Sequence, residues 1–248
     1  MRDNPGTERT MAASNPHPEN DSPTNPPAPE ARVHAAITSA LLQGKLAPGA
    51  QLVERELAAA FGCTRGAIRK VLARLGAEGK LTLEANRGAF VPSPTVADIR
   101  AAYRARQVVE AGIVASLCGA LGTQAKRALR AHVKAEQRAV KAGSVEECVR
   151  LAGRFHVLLA ELANVPEVQA FLSKLVAKTE LYKALFDPSK VSNCASDEHE
   201  QLVDALEAGN LDAALATMRL HIDELESRVL AQAGAARGND LATLFAGA

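Results

Sequence analysis

Apolar side chains recur at helical spacing along most of the chain, and one short stretch breaks into strict alternation. From Ala31 to Gln43 the positions Val33, Ile37, Leu41 and Leu42 predict a helix that Gly44 stops. Pro48-Gly49 makes a turn, and Glu54 to Phe61 reads as a second helix with Leu57, Ala58 and Phe61 inward, ended by Gly62. Thr64 is a natural N-cap for a third helix, in which Ile68, Val71, Leu72 and Leu75 form one stripe; Gly76 and Gly79 are expected to end it. Lys80 to Leu83 and Ala89 to Val91 then alternate as two short strands around Asn86-Arg87-Gly88, and Pro92 and Pro94 mark a linker. Beyond it the helical period is unbroken. Thr95-x-x-Asp98 and Ser144-x-x-Glu147 have the capping-box pattern. Six helices are expected, near 96–121, 124–142, 145–163, 166–187, 196–208 and 211–233. The chain is therefore expected to be mainly α. A winged helix-turn-helix of three helices and a small β-hairpin comes first, and an all-α antiparallel helical bundle follows.

Composition sets the boundaries. Residues 1–30 hold seven of the twelve prolines and almost no large apolar side chains, so they read as a disordered tail, with Met11 an alternative start to Met1. Domains are expected at 31–92 and 95–233, with a frayed tail at 234–248. At 248 residues two ordinary domains fit, and 47% hydrophobic residues suffice for their cores. Aromatics at 3% and the absence of Trp favour packed helices over a β-sandwich. No apolar run approaches the roughly 18 residues that span a membrane. Cys63, Cys118, Cys148 and Cys194 are widely spaced, without a C-x-x-C pair or a signal segment, and read as reduced packing cysteines of a cytoplasmic protein.

Charge changes the picture only locally. The whole chain carries +1, but segment 31–92 holds nine Lys/Arg against four acids, a net of +5. A recognition helix needs an apolar face to dock on its own domain and groove-reaching side chains near its N-terminus. With Ile68 at the centre of the buried stripe, Arg65, Gly66 and Arg69 fall on the far side. Arginine there can pair bidentately with guanine, which is worth about 1–3 kcal/mol of discrimination. Thr64 and the free N–H groups of the helix can hold a phosphate. Arg55 is placed for phosphate or a base edge, and Arg87 at the hairpin tip for a minor groove that Gly88 lets the backbone approach. A solvated helix face is the plainer alternative for any one of these arginines; the combination points to double-stranded DNA.

Segment 33–91 resembles the GntR-type winged-helix domain. The residues that carry the resemblance are Leu46-Ala47-Pro48-Gly49, Glu54-Arg55-Glu56-Leu57-Ala58, Thr64-Arg65-Gly66-Ala67-Ile68-Arg69 and Arg87-Gly88. It implies DNA contacts from Arg55, Thr64, Arg65, Arg69 and the wing. Gly66 stands where many members carry a bulkier side chain, and Lys70 replaces a frequent Glu, adding a phosphate contact.

Of six histidines, His17, His34 and His132 have no assigned role, whereas His156, His199 and His221 lie on apolar stripes and point into the bundle. His199 and His221 are equidistant from the Gly209-Asn210 turn and should meet at one height. If His156 reaches that height, three neutral imidazoles suit Zn²⁺ or a similar divalent ion. Hydrogen-bonded core histidines are the alternative. The domain from 96 to 232 resembles the all-helical FCD effector domain through Arg106-x-x-x-Glu110, Phe155-His156, Ser196-Asp197-Glu198-His199 and Met218-Arg219-x-His221. In metal-binding members an Asp joins the three histidines; the matching residue here is Ala152, which weakens the expected affinity or leaves the position to water or effector. An effector bound without metal, with the histidines as donors, is equally open. The resemblance places Arg106 on an effector carboxylate, against a plain helix-surface pair with Glu110.

These readings converge on a cytoplasmic regulator that binds a near-palindromic operator as a homodimer and acts as a repressor relieved by a small carboxylate-bearing metabolite. The rival is a three-His metalloenzyme with a tethering N-terminal domain. Its general base would come from Glu161 or Glu198, neither of which shares its histidine's stripe.

Overall fold

The computed structural model describes residues 1, 28–186, 195–233 and 245. Helix α1 (Pro29–Leu42) opens with proline at its first position, where the missing N–H costs nothing and φ is already helical. The expected tail of 1–30 is therefore too long by the start of this helix, and its residues 2–27 lie outside the described residues. Strand β1 (Gln51–Leu52), α2 (Glu54–Phe61) and α3 (Arg65–Ala77) follow, then β2 (Thr82–Glu84) and β3 (Gly88–Phe90). Gly62 takes the left-handed conformation that ends α2, φ 61°, and the Thr64 hydroxyl accepts from the Ala67 N–H at 3.2 Å to start α3.

Two details differ from expectation. The wing has three strands in the order β1-β3-β2, because Gln51 and Leu52 pair antiparallel with Phe90 and Ala89. A two-residue strand is too short to show alternation. Gly76 does not end α3 either. A Cβ there would lie 2.5 Å from Leu83 of β2, so this glycine makes room for the wing, and the helix runs one residue further, to Ala77, before Gly79 turns the chain at φ 72°.

The second domain contains α4 (Val96–Leu117), α5 (Thr123–Lys141), α6 (Val145–Leu162), α7 (Pro166–Phe186), α8 (Ser196–Ala208) and α9 (Leu211–Gln232). Thr95 and Asp98 form the expected reciprocal capping box, whereas Ser144 makes no side-chain cap. Its backbone, at ψ 88°, is not extended, and Glu147 instead grips Arg150 at 2.6 and 2.7 Å. Helix α4 packs against α9, α7 and α6, while α5 lies across α6 and α8. Among the described residues, no helix is long and apolar enough to cross a membrane.

The two domains touch. Helix α1 packs on α7. Phe245, placed in the expected frayed tail, is 4% exposed, and its ring lies 5.2 Å from that of Phe61 in α2. A lone phenylalanine in an aperiodic stretch gives no sign of docking, which is why the pattern missed it.

Candidate metal centre and nucleic-acid interface

Helix α3 buries Ile68, Val71, Leu72 and Leu75 and leaves Arg65, Gly66, Arg69 and Lys70 exposed, as the stripe requires. Arg55 is exposed at the start of α2, on the same domain. A Cβ at Gly66 would meet only the Thr64 hydroxyl, at 3.9 Å, so the helix start is bare and open to a backbone phosphate. Arg69 is not free. Its Nε and Nη2 donate to the two oxygens of Glu54, both at 2.8 Å, and this fork ties α3 to α2. Lys70 lies 3.8 Å from Glu30. At the wing tip Asn86 has φ 61° and Gly88 φ 103°; Arg87 pairs with Glu84 and lies 5.3 Å over the Phe90 ring. These residues share one domain and an exposed basic surface, with two of the expected DNA-contacting arginines held by acids.

The three histidines meet inside the second domain. His156 on α6, His199 on α8 and His221 on α9 are 2%, 1% and 5% exposed, and each offers a ligand atom within 4.8 Å of the others. The His199 and His221 ring centroids lie 5.0 Å apart, as equal distance from the Asn210 turn requires. Asn210 caps α9 by accepting from the Ala213 N–H, and Gly209 closes α8 at φ 68°. Phe155 stacks on His199 with centroids 3.9 Å apart and planes 12° from parallel, fixing that ring.

Each imidazole has a carboxylate on its outer side. His156 Nδ1 lies 2.5 Å from Glu110, His199 Nδ1 lies 2.9 Å from Glu136, and His221 Nδ1 pairs with Glu198. With Nδ1–H donating outward, the three Nε2 lone pairs must face inward. His156 Nε2 and His221 Nε2 are then 3.2 Å apart, and His199 Nε2 is buried without a hydrogen-bond partner. Two lone pairs at that distance repel unless a cation lies between them. For a tetrahedral Zn²⁺ with ligands at about 2.05 Å, neighbouring nitrogens would be about 3.3 Å apart. The donor set fits such an ion. Ala152 offers no ligand atom.

Burial pushes the His156 imidazole down to about 3 and the His199 imidazole well below its usual range, so both stay neutral and ligand-competent. Burial would raise Glu110, but Arg106 and His156 at its oxygens outweigh it and hold the carboxyl near 2. Burial wins at Glu136, pushed up to about 7 despite His132 and His221 nearby. The His221 hydrogen bond draws Glu198 below its usual range.

Arg106 is no surface residue. It is fully buried, with Nε on Glu110 at 2.7 Å, Nη1 on the Thr179 hydroxyl at 3.0 Å and Nη2 without a hydrogen-bond partner. Thr179, Arg106, Glu110 and His156 thus form one buried chain that ends at the histidine cluster. The helix-surface pairing considered for Arg106 and Glu110 is corrected by this burial. Glu136 and the role of Glu198 were missed. An acid on the apolar stripe of Leu129, Val133 and Ala139 was the available signal for Glu136. His132 lies outside the trio and donates its Nε2–H to the Leu151 carbonyl at 2.9 Å, and His34 pairs with Glu78. His17 and Cys194 lie outside the described residues.

Comparison with known proteins decides the family. Residues 29–91 match the model for bacterial regulatory proteins of the gntR family, and residues 101–224 match the FCD domain. The chain is a GntR-family transcriptional regulator with an FCD domain. The HTH-type transcriptional repressor RspR of Escherichia coli strain K12 is 22% identical over 185 residues, covering 74% of this chain and 81% of that protein. An HTH-type transcriptional regulator in an unstable DNA locus of Streptomyces ambofaciens is 28% identical over 217 residues, 86% of this chain and 91% of its own. A GntR regulator structure from Rhodococcus sp. RHA1 superposes with a TM-score of 0.66 at 25% identity, covering 84% of this chain and 99% of that one. Escherichia coli McbR/YncC gives 0.65 at 20% identity over 83% and 98%, a likeness of fold. Membership in this GntR/FCD family makes the chain a regulator, and the metalloenzyme reading falls. The two candidate bases agree with that: Glu161 pairs with Arg154 at 2.6 Å, and Glu198 is committed to His221.

Proposed function

We propose that this GntR/FCD regulator is a cytoplasmic repressor that binds a near-palindromic operator as a homodimer. Its operator affinity responds to a carboxylate-bearing metabolite received by the FCD domain together with a divalent metal, Zn²⁺ or a similar ion. The observation that carries the reading is the convergence of three inward Nε2 atoms, each backed by a carboxylate, in a chain whose other domain exposes Arg55, Arg65 and the wing. The name of the Escherichia coli relative supports repression. Arg106 supports a carboxylate ligand, since its Nη2 is a buried cationic donor with no hydrogen-bond partner. A bound divalent ion would supply a positive charge and an open coordination position for an anionic oxygen. The chain's own part is to hold three neutral imidazoles in register and to aim Arg106 beside them.

Control requires the ligand to bind the operator-competent and incompetent arrangements with different affinity. The test is binding to the protein's own upstream DNA at several salt concentrations, with and without Zn²⁺, for the wild type, Arg65→Ala and His199→Ala. Expected are a steep loss of affinity with salt, a sequence preference that Arg65→Ala abolishes, and a Zn²⁺-dependent thermal shift that His199→Ala removes while basal DNA binding stays. No preference over random DNA would sink the regulator reading of the arginines; a Zn²⁺ shift that survives in His199→Ala would sink the metal centre.

A further inference from the structure

Helix α5 has one strongly charged outer face. Arg127, Ala131, Lys134, Arg138 and Lys141 form an exposed row, spaced four, three, four and three residues apart. That spacing keeps them on one side of the helix for about 21 Å. Four of the five are cations. Lys126 and Arg130, half-buried, border the row. The sole acid of α5, Glu136, is buried on the opposite side against His199. The charge is local, as it is in the DNA-binding domain, for the whole chain carries only +1.

Such a row works against its own helix. Lys134–Arg138 and Arg138–Lys141 are like-charge neighbours at the spacings where opposite charges would stabilise. A face that needs only to be wet can interleave the two signs, as α6 does with Glu147 and Arg150. Arg130 is answered from α8, by Asp204 at 2.6 Å and Glu207 at 2.8 Å. Among the described residues no carboxylate pairs with Lys126, Arg127, Lys134, Arg138 or Lys141. Beside the row, a cleft of about 470 Å³ is lined by Thr123, Lys126, Arg127, Arg130, Lys134 and Glu207. The N-terminal half of the face is therefore concave, and an anionic group seated there meets three unpaired cations.

We propose that the outer face of α5 is a second surface for duplex DNA, taking the sugar-phosphate backbone that flanks the site held by α3 and the wing. It reads no sequence, because cations at a regular spacing are the chemistry of phosphate contact. Regularity selects the partner. A duplex carries one charge per about 1.7 Å of its axis, so a row of about 21 Å meets anions along its full length. A protein partner would be anchored by aromatic or aliphatic side chains, and interfaces are depleted in lysine. Apart from its cations this row offers only Ala131. A second copy of the chain would set the row against itself and repel. The DNA-binding domain holds flanking duplex at high local concentration, so contacts too weak to bind DNA alone still add to affinity. The inference rests on the DNA-contact reading of α3 and the wing, and is independent of the metal and the effector.

The experiment compares the shortest duplex that keeps sequence preference with the same duplex carrying about 30 base pairs of random sequence on each side, roughly 100 Å of added helix. Fluorescence anisotropy between about 50 and 200 mM salt is read for the full chain and for two variants. One combines Arg127→Gln, Lys134→Gln, Arg138→Gln and Lys141→Gln; the other combines Arg127→Gln and Lys134→Gln alone. Glutamine keeps helix propensity at these exposed positions, and circular dichroism checks the fold. The wild type should bind the extended duplex more tightly. With four phosphates at about 0.9 each in the slope, that gain should fall roughly 100-fold across the salt range. The fourfold variant should lose the gain and keep its affinity and slope on the short duplex, and the double variant should lose about half of the added slope. A wild type that gains nothing from the flanks, or a folded variant that keeps the whole gain, overturns the proposal. So does binding of polyglutamate that the fourfold variant loses while the flanks give no gain, which would make the face a site for an acidic protein. Failure of α3 and the wing as the reading surface looks different: preference on the short duplex would be missing in the wild type and both variants.

Discussion

Arg69 shows how an exposed side chain can be present for DNA and still not be available to it. It is 70% exposed, but its fork is closed on Glu54, and this bond, ahead of burial, draws the Glu54 carboxyl below its ordinary value. Exposed ion pairs are worth about 1 kcal/mol or less, so a phosphate can compete for the guanidinium. The competition leaves Glu54 uncompensated beside a polyanion. Glu54→Gln should therefore raise affinity for operator and random DNA alike, and steepen the dependence of log K on log salt by about one phosphate's worth, near 0.9. Fluorescence anisotropy across a salt series reads both. An unchanged slope would mean that Arg69 stays out of the phosphate contacts. Among the described residues Arg65 and Arg55 have no such clamp, and nothing in the sequence distinguished them from Arg69: the stripe gives the side of the helix, while the Glu54 partner comes from another helix fifteen positions back.

Glu78 joins α1, α3 and the turn before β2 at one carboxylate. It accepts from Lys80 before β2 at 2.8 Å, from Arg74 of α3 at 3.0 Å and lies 2.9 Å from His34 of α1. Lys80 leads in holding its carboxyl at about 2, from an ordinary value of 4.5, against the opposing effect of burial. A carboxyl whose pKa is lower folded than unfolded stabilises the fold fully above the unfolded value. That contribution is lost as pH falls from about 4.5 towards 2. Urea unfolding of the wild type and Glu78→Gln should show the variant weaker at pH 7 and the gap closing through that window; a constant gap would show that Glu78 acts only by packing. The elements themselves were largely legible. Six helices of the second domain were placed by period, and Thr95-Asp98 gave a true cap. What misled was glycine read as punctuation: Gly76 answers to Leu83 across space, not to its own helix. The histidine trio was legible because α8 and α9 form a hairpin about Asn210, whereas Glu110 and Glu136 arrive behind it from α4 and α5, and a helix's own period does not say which histidine an inward acid meets.

How the two halves of the molecule communicate depends on what joins them, and among the described residues α1 packs on α7 and Phe245 on Phe61. The second sets Phe245 against the core of the DNA-binding domain, since Phe61 is a buried residue of α2 and its carbonyl accepts from Arg32 of α1 at 3.3 Å. A ligand in the histidine cluster changes operator affinity only if the helical domain's arrangement biases that of α3, and the packing of the Phe245 ring on Phe61 is one physical route for the bias. Burial of a phenylalanine side chain is worth about 1.5–3 kcal/mol. Phe245→Ala should therefore lower the stability of the DNA-binding domain by about 2 kcal/mol. The histidine cluster shares no contact with Phe245 and should keep its Zn²⁺ response. Native-state hydrogen exchange separates the domains: faster exchange in α2 and α3 with α8 and α9 unchanged is expected. Equal loss in both domains would mean that they unfold as one unit, and no loss in α2 would mean that Phe245 contributes nothing to holding it. If the variant also keeps operator binding but loses its response to Zn²⁺ plus effector, the Phe61–Phe245 contact is part of the coupling and not only of the core.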